Sequence, residues 1–227
     1  MTGGVPDGDN SLLMSPGERF GARLQGNSSS AALQARIMER EAQNLREAFD
    51  QLGAEGSVVR AASVVVAARR RFLAGAGKSF AYANLLAADL SAGLSQVTLV
   101  DGTTVRALDI LADVRGTDVL VAFSLRRYRR DTISLGTEFV RRGGQLVVVT
   151  DDTRSPLYGA ATVPVVVPTS SASFADSPTA VAAATHLLGA LTTASSKGAR
   201  RRLAERDRIS QALELYVDTS PGQRSPQ

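Results

Sequence analysis

Three observations predict an α/β protein built on a three-layer, doubly wound, five-stranded parallel sheet with a helical extension at its N-terminus. Short apolar runs alternate with helical patterns over residues 70–217, the signature of a parallel sheet with crossover helices. One of these runs, DVLVAFS at 118–124, is almost wholly apolar, as a strand covered on both faces must be. The loops expected at the carboxyl ends of the strands, GAGKS, SLRRYRRDT and TDDTRSP, carry the glycine and the polar residues that such a sheet presents to ligands. The chain has 227 residues, of which 44% are hydrophobic, enough for one sizeable core. Aromatic residues make up only 5%, so that core is built from small aliphatic side chains.

The elements follow in order. Residues 1–29 are rich in Gly, Ser, Pro and Asp without an apolar period and are expected to form a disordered tail. Over 30–52, Met38, Ala42, Leu45, Phe49 and Leu52 recur at alternating four- and three-residue spacing, predicting an amphipathic helix capped by Ser30 and ended by Gly53. Its apolar seam suits packing on its own domain or on a partner helix. Residues 57–69 continue as a second helix, against the strand preference of the VVV run. The first strand leads into GAGKS, followed by a helix over 79–92. Strands at 96–101, 118–124, 145–151 and 163–168 alternate with helices at 104–111 and 132–142, the latter ended by Gly143 and Gly144. Pro164 places the last strand at an edge. Helices at 177–193 and 199–217 precede a polar tail over 218–227.

The stretch RRFLAGAGKSF reads as strand, turn and helix start. Gly75 and Gly77 permit positive φ and close backbone approach, and the free amides of the next helix face whatever sits there. Ser79 can cap that helix or bond a ligand, and a purely structural turn is the alternative. A triphosphate-binding loop requires a glycine at position 72, where Phe72 stands. A dinucleotide fingerprint requires one at position 80, where Phe80 stands, although Asp101 is suitably placed for a ribose.

Composition narrows the function further. The net charge is +4, and basic residues cluster at 69–71, 126–130 and 200–202, positions that read as solvated element ends. Without Trp and with few aromatic residues, direct nucleic-acid binding is not expected. There are no cysteines and a single histidine, His186, placed in an Ala/Leu-rich helix as a buried or half-buried structural residue. No cofactor and no metal site are expected. No apolar run reaches the roughly 18 residues of a membrane span, and a cytoplasmic location is expected.

The order GAGKS, DILADVRGTDVLVAFS, RRGGQLVVVTDDTRSPLYGAATVPVVVP resembles the sugar isomerase (SIS) domain, in the version found in RpiR/MurR-type bacterial regulators. The resemblance covers roughly 31–217 and implies a flavodoxin-like fold over 70–217, with 30–69 similar to the linker of those regulators. It also implies a phosphosugar ligand held by Ser and Thr side chains and by backbone amides at the ends of the first and third strands. By position, Ser79 matches the serine of the first loop, Ser124 the start of the second and Thr132 the threonine that closes it. Between Ser124 and Thr132 the chain carries LRRYRRD in place of the common Ser-x-Ser-Gly-x-Thr pattern. Arg126 and Arg127 offer planar cationic forks in place of the missing hydroxyls, or else pair with acids at an interface. The candidate ligand residues are Gly75, Gly77, Lys78, Ser79, Ser124, Arg126, Arg127 and Thr132.

Aldose–ketose isomerisation needs a base poised between two carbons. Asp89 lies about three turns into its helix, Asp151 and Asp152 fit a turn, and no catalytic residue is assigned. The favoured reading is therefore a sugar-phosphate-sensing domain, active as a homodimer or higher homo-oligomer, with a phosphosugar isomerase or a non-catalytic oligomerisation module as alternatives. Regulators of this type carry a helix-turn-helix domain before the linker. Such a domain needs about 40 residues; 29 precede Ser30, so it is expected to be absent.

Overall fold

The computed structural model describes residues 15–24 and 29–217. Five parallel strands form one sheet in the order β2-β1-β3-β4-β5, with β1 at Arg70–Gly75, β2 at Val97–Val100, β3 at Asp118–Ser124, β4 at Gln145–Thr150 and β5 at Val163–Val166. This is the expected doubly wound order, and it reverses direction between β1 and β3. Register aligns the carboxyl ends there: Gly75 lies opposite Phe123, and Ser124 opposite Thr150. β5 is an edge strand, which leaves Pro164, opposite Val148, without a missing ladder bond on its outer side.

Alternation along the strands divides the core in two. Leu73, Val119, Val121, Phe123, Val147 and Val149 point to one face. There they meet α3 (Ser57–Ala67), α4 (Ser79–Gly93) and α7 (Thr179–Ser195), with α2 (Ser30–Glu55) outside them. Phe72, Ala74, Leu120, Ala122, Leu146 and Val148 point to the other face, under α5 (Ala107–Leu111) and α6 (Arg130–Arg141). Phe72 meets Phe139 of α6 edge to face at 5.9 Å. The first layer is built for close approach: a Cβ at Gly93 of α4 would sit 2.6 Å from the Thr193 side chain of α7. α8 (Ala199–Ala212) follows and buries only Ala199.

Several expectations need correction. Within the expected N-terminal tail, Pro16–Leu24 forms a helix, α1, stabilised by reciprocal bonds between Ser15 and Glu18; residues 1–14, 25–28 and 218–227 lie outside the described residues. The cap of α2 is Ser29, whose Oγ accepts from the Ala32 amide, and the helix runs through Gly53 to Gly56, whose φ of 61° is the left-handed stop. The inward stripe of α2 is Asn44, Ala48 and Leu52, while Met38 and Phe49 of the expected seam are 62% and 46% exposed. Polar pairing explains this rotation. Asn44 donates to the Ser170 carbonyl and accepts from Ser170 Oγ at 2.7 Å, and Glu41 accepts from Ser177 and Thr179. His186 is exposed, because α7 turns Ala184, Thr185 and Leu188 inward. Finally, Arg70 and Arg71 are structural groups rather than solvated strand ends.

Candidate functional site

The carboxyl ends of β1 and β3 enclose two adjoining cavities. The smaller, about 140 Å³, is lined by Gly77, Lys78, Ser79, Ser124, Arg126, Arg127 and Thr132 among others. Seven of the eight residues singled out from sequence thus converge. Gly75 lines a separate cavity of about 310 Å³ across the β1–α4 loop, together with Asp101 and Thr132. Gly75 itself allows the turn, since a Cβ there would lie 2.5 Å from the Ser79 carbonyl oxygen. Gly77 supplies the positive φ, 61°. Ser79 does not cap α4; it is the first helical residue, buried against the cleft.

Ser124 closes β3. Its carbonyl accepts from Thr150 Oγ1 at 2.7 Å, which fixes the strand end, while its own Oγ is buried with no hydrogen-bond partner. The segment after it is anchored by Asp151, whose side chain is fully buried. Asp151 takes Arg126 Nε at 2.8 Å and, more weakly, the Arg126 amide at 3.3 Å and Thr169 Oγ1 at 3.4 Å. Burial, followed by the Asp151 charge, pushes the Tyr128 phenol up to about 12, so it stays a neutral donor. Sequence reading assigns Asp151 to a turn. The turn belongs to Asp152, which accepts from the Arg154 amide at 2.8 Å, and the Arg154 side chain beside it lowers its pKa.

Charge in the smaller cavity is one-sided. Lys78, Arg126, Arg127 and Arg129 line it, and no carboxylate does. Arg126 is matched by Asp151 and Arg129 by Asp131. Lys78 and Arg127 have no carboxylate within ion-pair distance among the described residues. Two unmatched cations, an orphaned hydroxyl and the first turn of α4 can together hold a dianion.

The larger cavity, about 200 Å³, shares Lys78, Ser79, Arg126 and Arg127 and adds Tyr82, Phe174 and Asp176. Burial first, then Asp176 and Glu41, pushes the Tyr82 phenol up to about 12. Tyr82, Asp151 and Asp176 are site residues that sequence reading misses. A tyrosine one turn after GAGKS is the available signal for Tyr82. Asp101 holds no ligand group: its Oδ1 accepts three successive amides, Thr103, Thr104 and Val105, and those bonds lower its pKa. Asp89 sits against Gly189 of α7, away from the cleft.

Comparison with known proteins bears on this geometry. The fold is similar to the sugar isomerase domain of an RpiR transcription factor from Sphaerobacter thermophilus, at 24% identity over 79% of this chain and 98% of that one, with a TM-score of 0.71. It is similar to the Vibrio vulnificus NanR protein complexed with ManNAc-6P, at 17% identity over 83% of this chain and 74% of that one, with a TM-score of 0.65. A protein of Escherichia coli CFT073, in complex with a phosphosugar, shares 19% identity over 81% of this chain and its whole length, with a TM-score of 0.60. No curated protein matches significantly in sequence. No described helix is long and apolar enough to cross a membrane. The family model of the SIS domain matches residues 65–192, more than half of the chain, and the protein belongs to the SIS domain family.

Proposed function

We propose that this chain binds a sugar phosphate in the cleft between β1 and β3 and acts as an effector-sensing SIS domain of the RpiR type, with residues 70–217 as the binding unit and 30–69 as its helical extension. The observation that carries this reading is the orphaned Ser124 Oγ beside Lys78 and Arg127. A buried hydroxyl without a partner costs stability unless a ligand supplies one, and the two cations specify that the ligand is anionic. Two structural neighbours were solved with phosphosugars, ManNAc-6P in the case of NanR, which supports a phosphosugar as the anion. Phosphate oxygens would meet Ser79, Ser124 and Thr132 hydroxyls, the Gly77 and Lys78 backbone and the Arg127 fork, while Arg126 stays tied to Asp151.

Binding without turnover is favoured because the phosphate cavity holds no carboxylate or histidine and Asp176, in the adjoining cavity, is paired with Arg19. An isomerase is the second reading, favoured by Glu41, a half-buried carboxylate held by Ser177 and Thr179 at the far rim of the cleft. Met38 and Phe49, exposed on α2, support a homodimer through that face, which light scattering would test.

The test is thermal unfolding against a panel of sugar phosphates, with turnover followed for any that bind. A ligand at 100 times its Kd stabilises by about 2.7 kcal/mol. Arg127→Ala should abolish most of that gain. An identical ligand-induced shift in wild type and Arg127→Ala removes the arginine from the phosphate site, and turnover of a bound sugar replaces the sensor with the isomerase.

A further inference from the structure

α1 stands apart from the sheet, and Gly17, Glu18 and Phe20 on it are exposed, yet Arg19 is only 8% exposed. Its guanidinium lines the larger cavity, where Nη1 pairs with Asp176 Oδ1, while Nε is buried with no hydrogen-bond partner. The Asp176 carbonyl in turn accepts from Lys78 Nζ at 2.6 Å. The cleft therefore contains two orphaned polar atoms, one at each end: Ser124 Oγ in the phosphate cavity and Arg19 Nε in the adjoining one.

The two ends ask for different chemistry. Around Ser124 the cations outnumber the acids. Around Arg19 the charge is already balanced by Asp176, so what remains on offer is a single N–H donor and not a net charge. Beside it stand Tyr82, Leu125, Phe174 and Ala175, an apolar wall. A neutral acceptor flanked by a small apolar group fits both features, and an acyl amide has that combination: a carbonyl oxygen for the N–H and a methyl for the wall.

We propose that Arg19 is a specificity-determining residue which reads an acylamino group on the sugar phosphate, so that the ligand is an acylated amino-sugar phosphate and the N-terminal helix is part of its site. This inference rests on the phosphosugar reading and narrows it. The phosphate is held by β1 and β3, and the acyl group spans the gap to α1. Binding of the preferred ligand is thereby coupled to the docking of α1, whereas binding of a plain sugar phosphate is not.

Titration calorimetry of the full chain with glucose 6-phosphate and with N-acetylglucosamine 6-phosphate tests it, because the two probes differ at the acylamino position alone. The quantity to read is the ratio of their dissociation constants, which cancels general effects of a substitution on the fold. Wild type should prefer the acetylated probe at least tenfold. In both Arg19→Ala and Arg19→Lys, the second retaining a cation for Asp176 but lacking Nε–H, the ratio should fall to within about twofold of one. A wild-type ratio near one, or a preference that survives in both variants, overturns the role of Arg19 while leaving the phosphosugar reading intact. Failure of wild type to bind either probe overturns both.

Discussion

Arginines stand at both ends of the sheet, and their surroundings separate structure from function. At the amino end, Arg70 gives Nη2 to Asp118 at 2.6 Å and Nη1 to Asp113 at 2.9 Å, and its guanidinium lies over the Phe72 ring at 5.5 Å. Arg71, buried beside it, has no carboxylate but spends its fork on carbonyls: Val65 at 2.7 Å, Val66 at 2.8 Å and Ser95 at 3.1 Å. Burial lowers its pKa, and the carbonyl-rich end of α3 compensates the charge. At the carboxyl end, Arg127 lacks an ion pair among the described residues and Arg19 has a buried N–H without a partner. The chain satisfies its arginines completely where they hold the fold and incompletely where a ligand is due.

The comparison breaks most visibly at Asp118. Asp118→Ala leaves Arg70 facing a buried gap and frees the Arg115 amide that Asp118 Oδ2 accepts at 2.8 Å. The expected loss is about 3 kcal/mol, read as a lower denaturant midpoint with unchanged slope. The same group sets an acid limit. Burial raises the Asp118 pKa, but the bonds from Arg70 and Arg115 outweigh it, and the folded value lies below the usual carboxylate value near 4. A depressed acid contributes stability above its unfolded pKa and loses it as pH falls through the folded one. Wild type should therefore weaken below about pH 4, and Asp118→Ala should lose this part of the acid sensitivity.

Arg71→Met is the next largest. It keeps the apolar stem but strands three carbonyls, and about 2 kcal/mol should be lost with no change in ligand-induced stabilisation. A variant that also loses ligand response would mean that the amino end communicates with the cleft, and the division between the two ends would fail.

Sequence makes one of these ends far more legible than the other. β3 is readable to the residue because seven consecutive positions are buried, a run that needs no partner information. The GAGKS turn is legible for the same local reason, with glycine spacing and the helix start adjacent in the chain. α2 is placed correctly but rotated, because its inward stripe includes Asn44 and Glu41, whose partners lie more than 120 residues away. Hydrophobic periodicity counts such residues as solvent-facing. The arginine at 71 looks like a solvated strand end for an equivalent reason, since backbone carbonyls leave no trace in a sequence. Asp151, Asp176 and Arg19 reach the cleft through contacts between distant segments, and only the folded chain brings them together.

Gly75→Ala lies between the two ends in its expected effect. Its Cβ would press on the Ser79 carbonyl, which is backbone and cannot swing away. The cost should be about 1–2 kcal/mol of stability, accompanied by loss of the ligand-induced shift, because the first turn of α4 must move out of the cleft. A loss of stability with full ligand response would show that the turn is structural alone.

The smallest effect on the fold is expected at Ser124, and its smallness is the sharpest form of the comparison. Removing a hydroxyl that is bonded and buried costs stability, as Thr150→Ala should show, because Thr150 Oγ1 holds the Ser124 carbonyl. Removing one that is buried and unbonded costs nothing and relieves a desolvated group, so Ser124→Ala should unfold at the wild-type midpoint or slightly above it. Its affinity for a sugar phosphate should nevertheless fall about tenfold, the value of one hydrogen bond to a charged acceptor. Stability and affinity moving in opposite directions at one atom is what a site prepared for an absent partner requires. A Ser124→Ala protein that is both less stable and unchanged in affinity would make this hydroxyl part of the scaffold, and would put it with Arg70 and Arg71 rather than with Arg127.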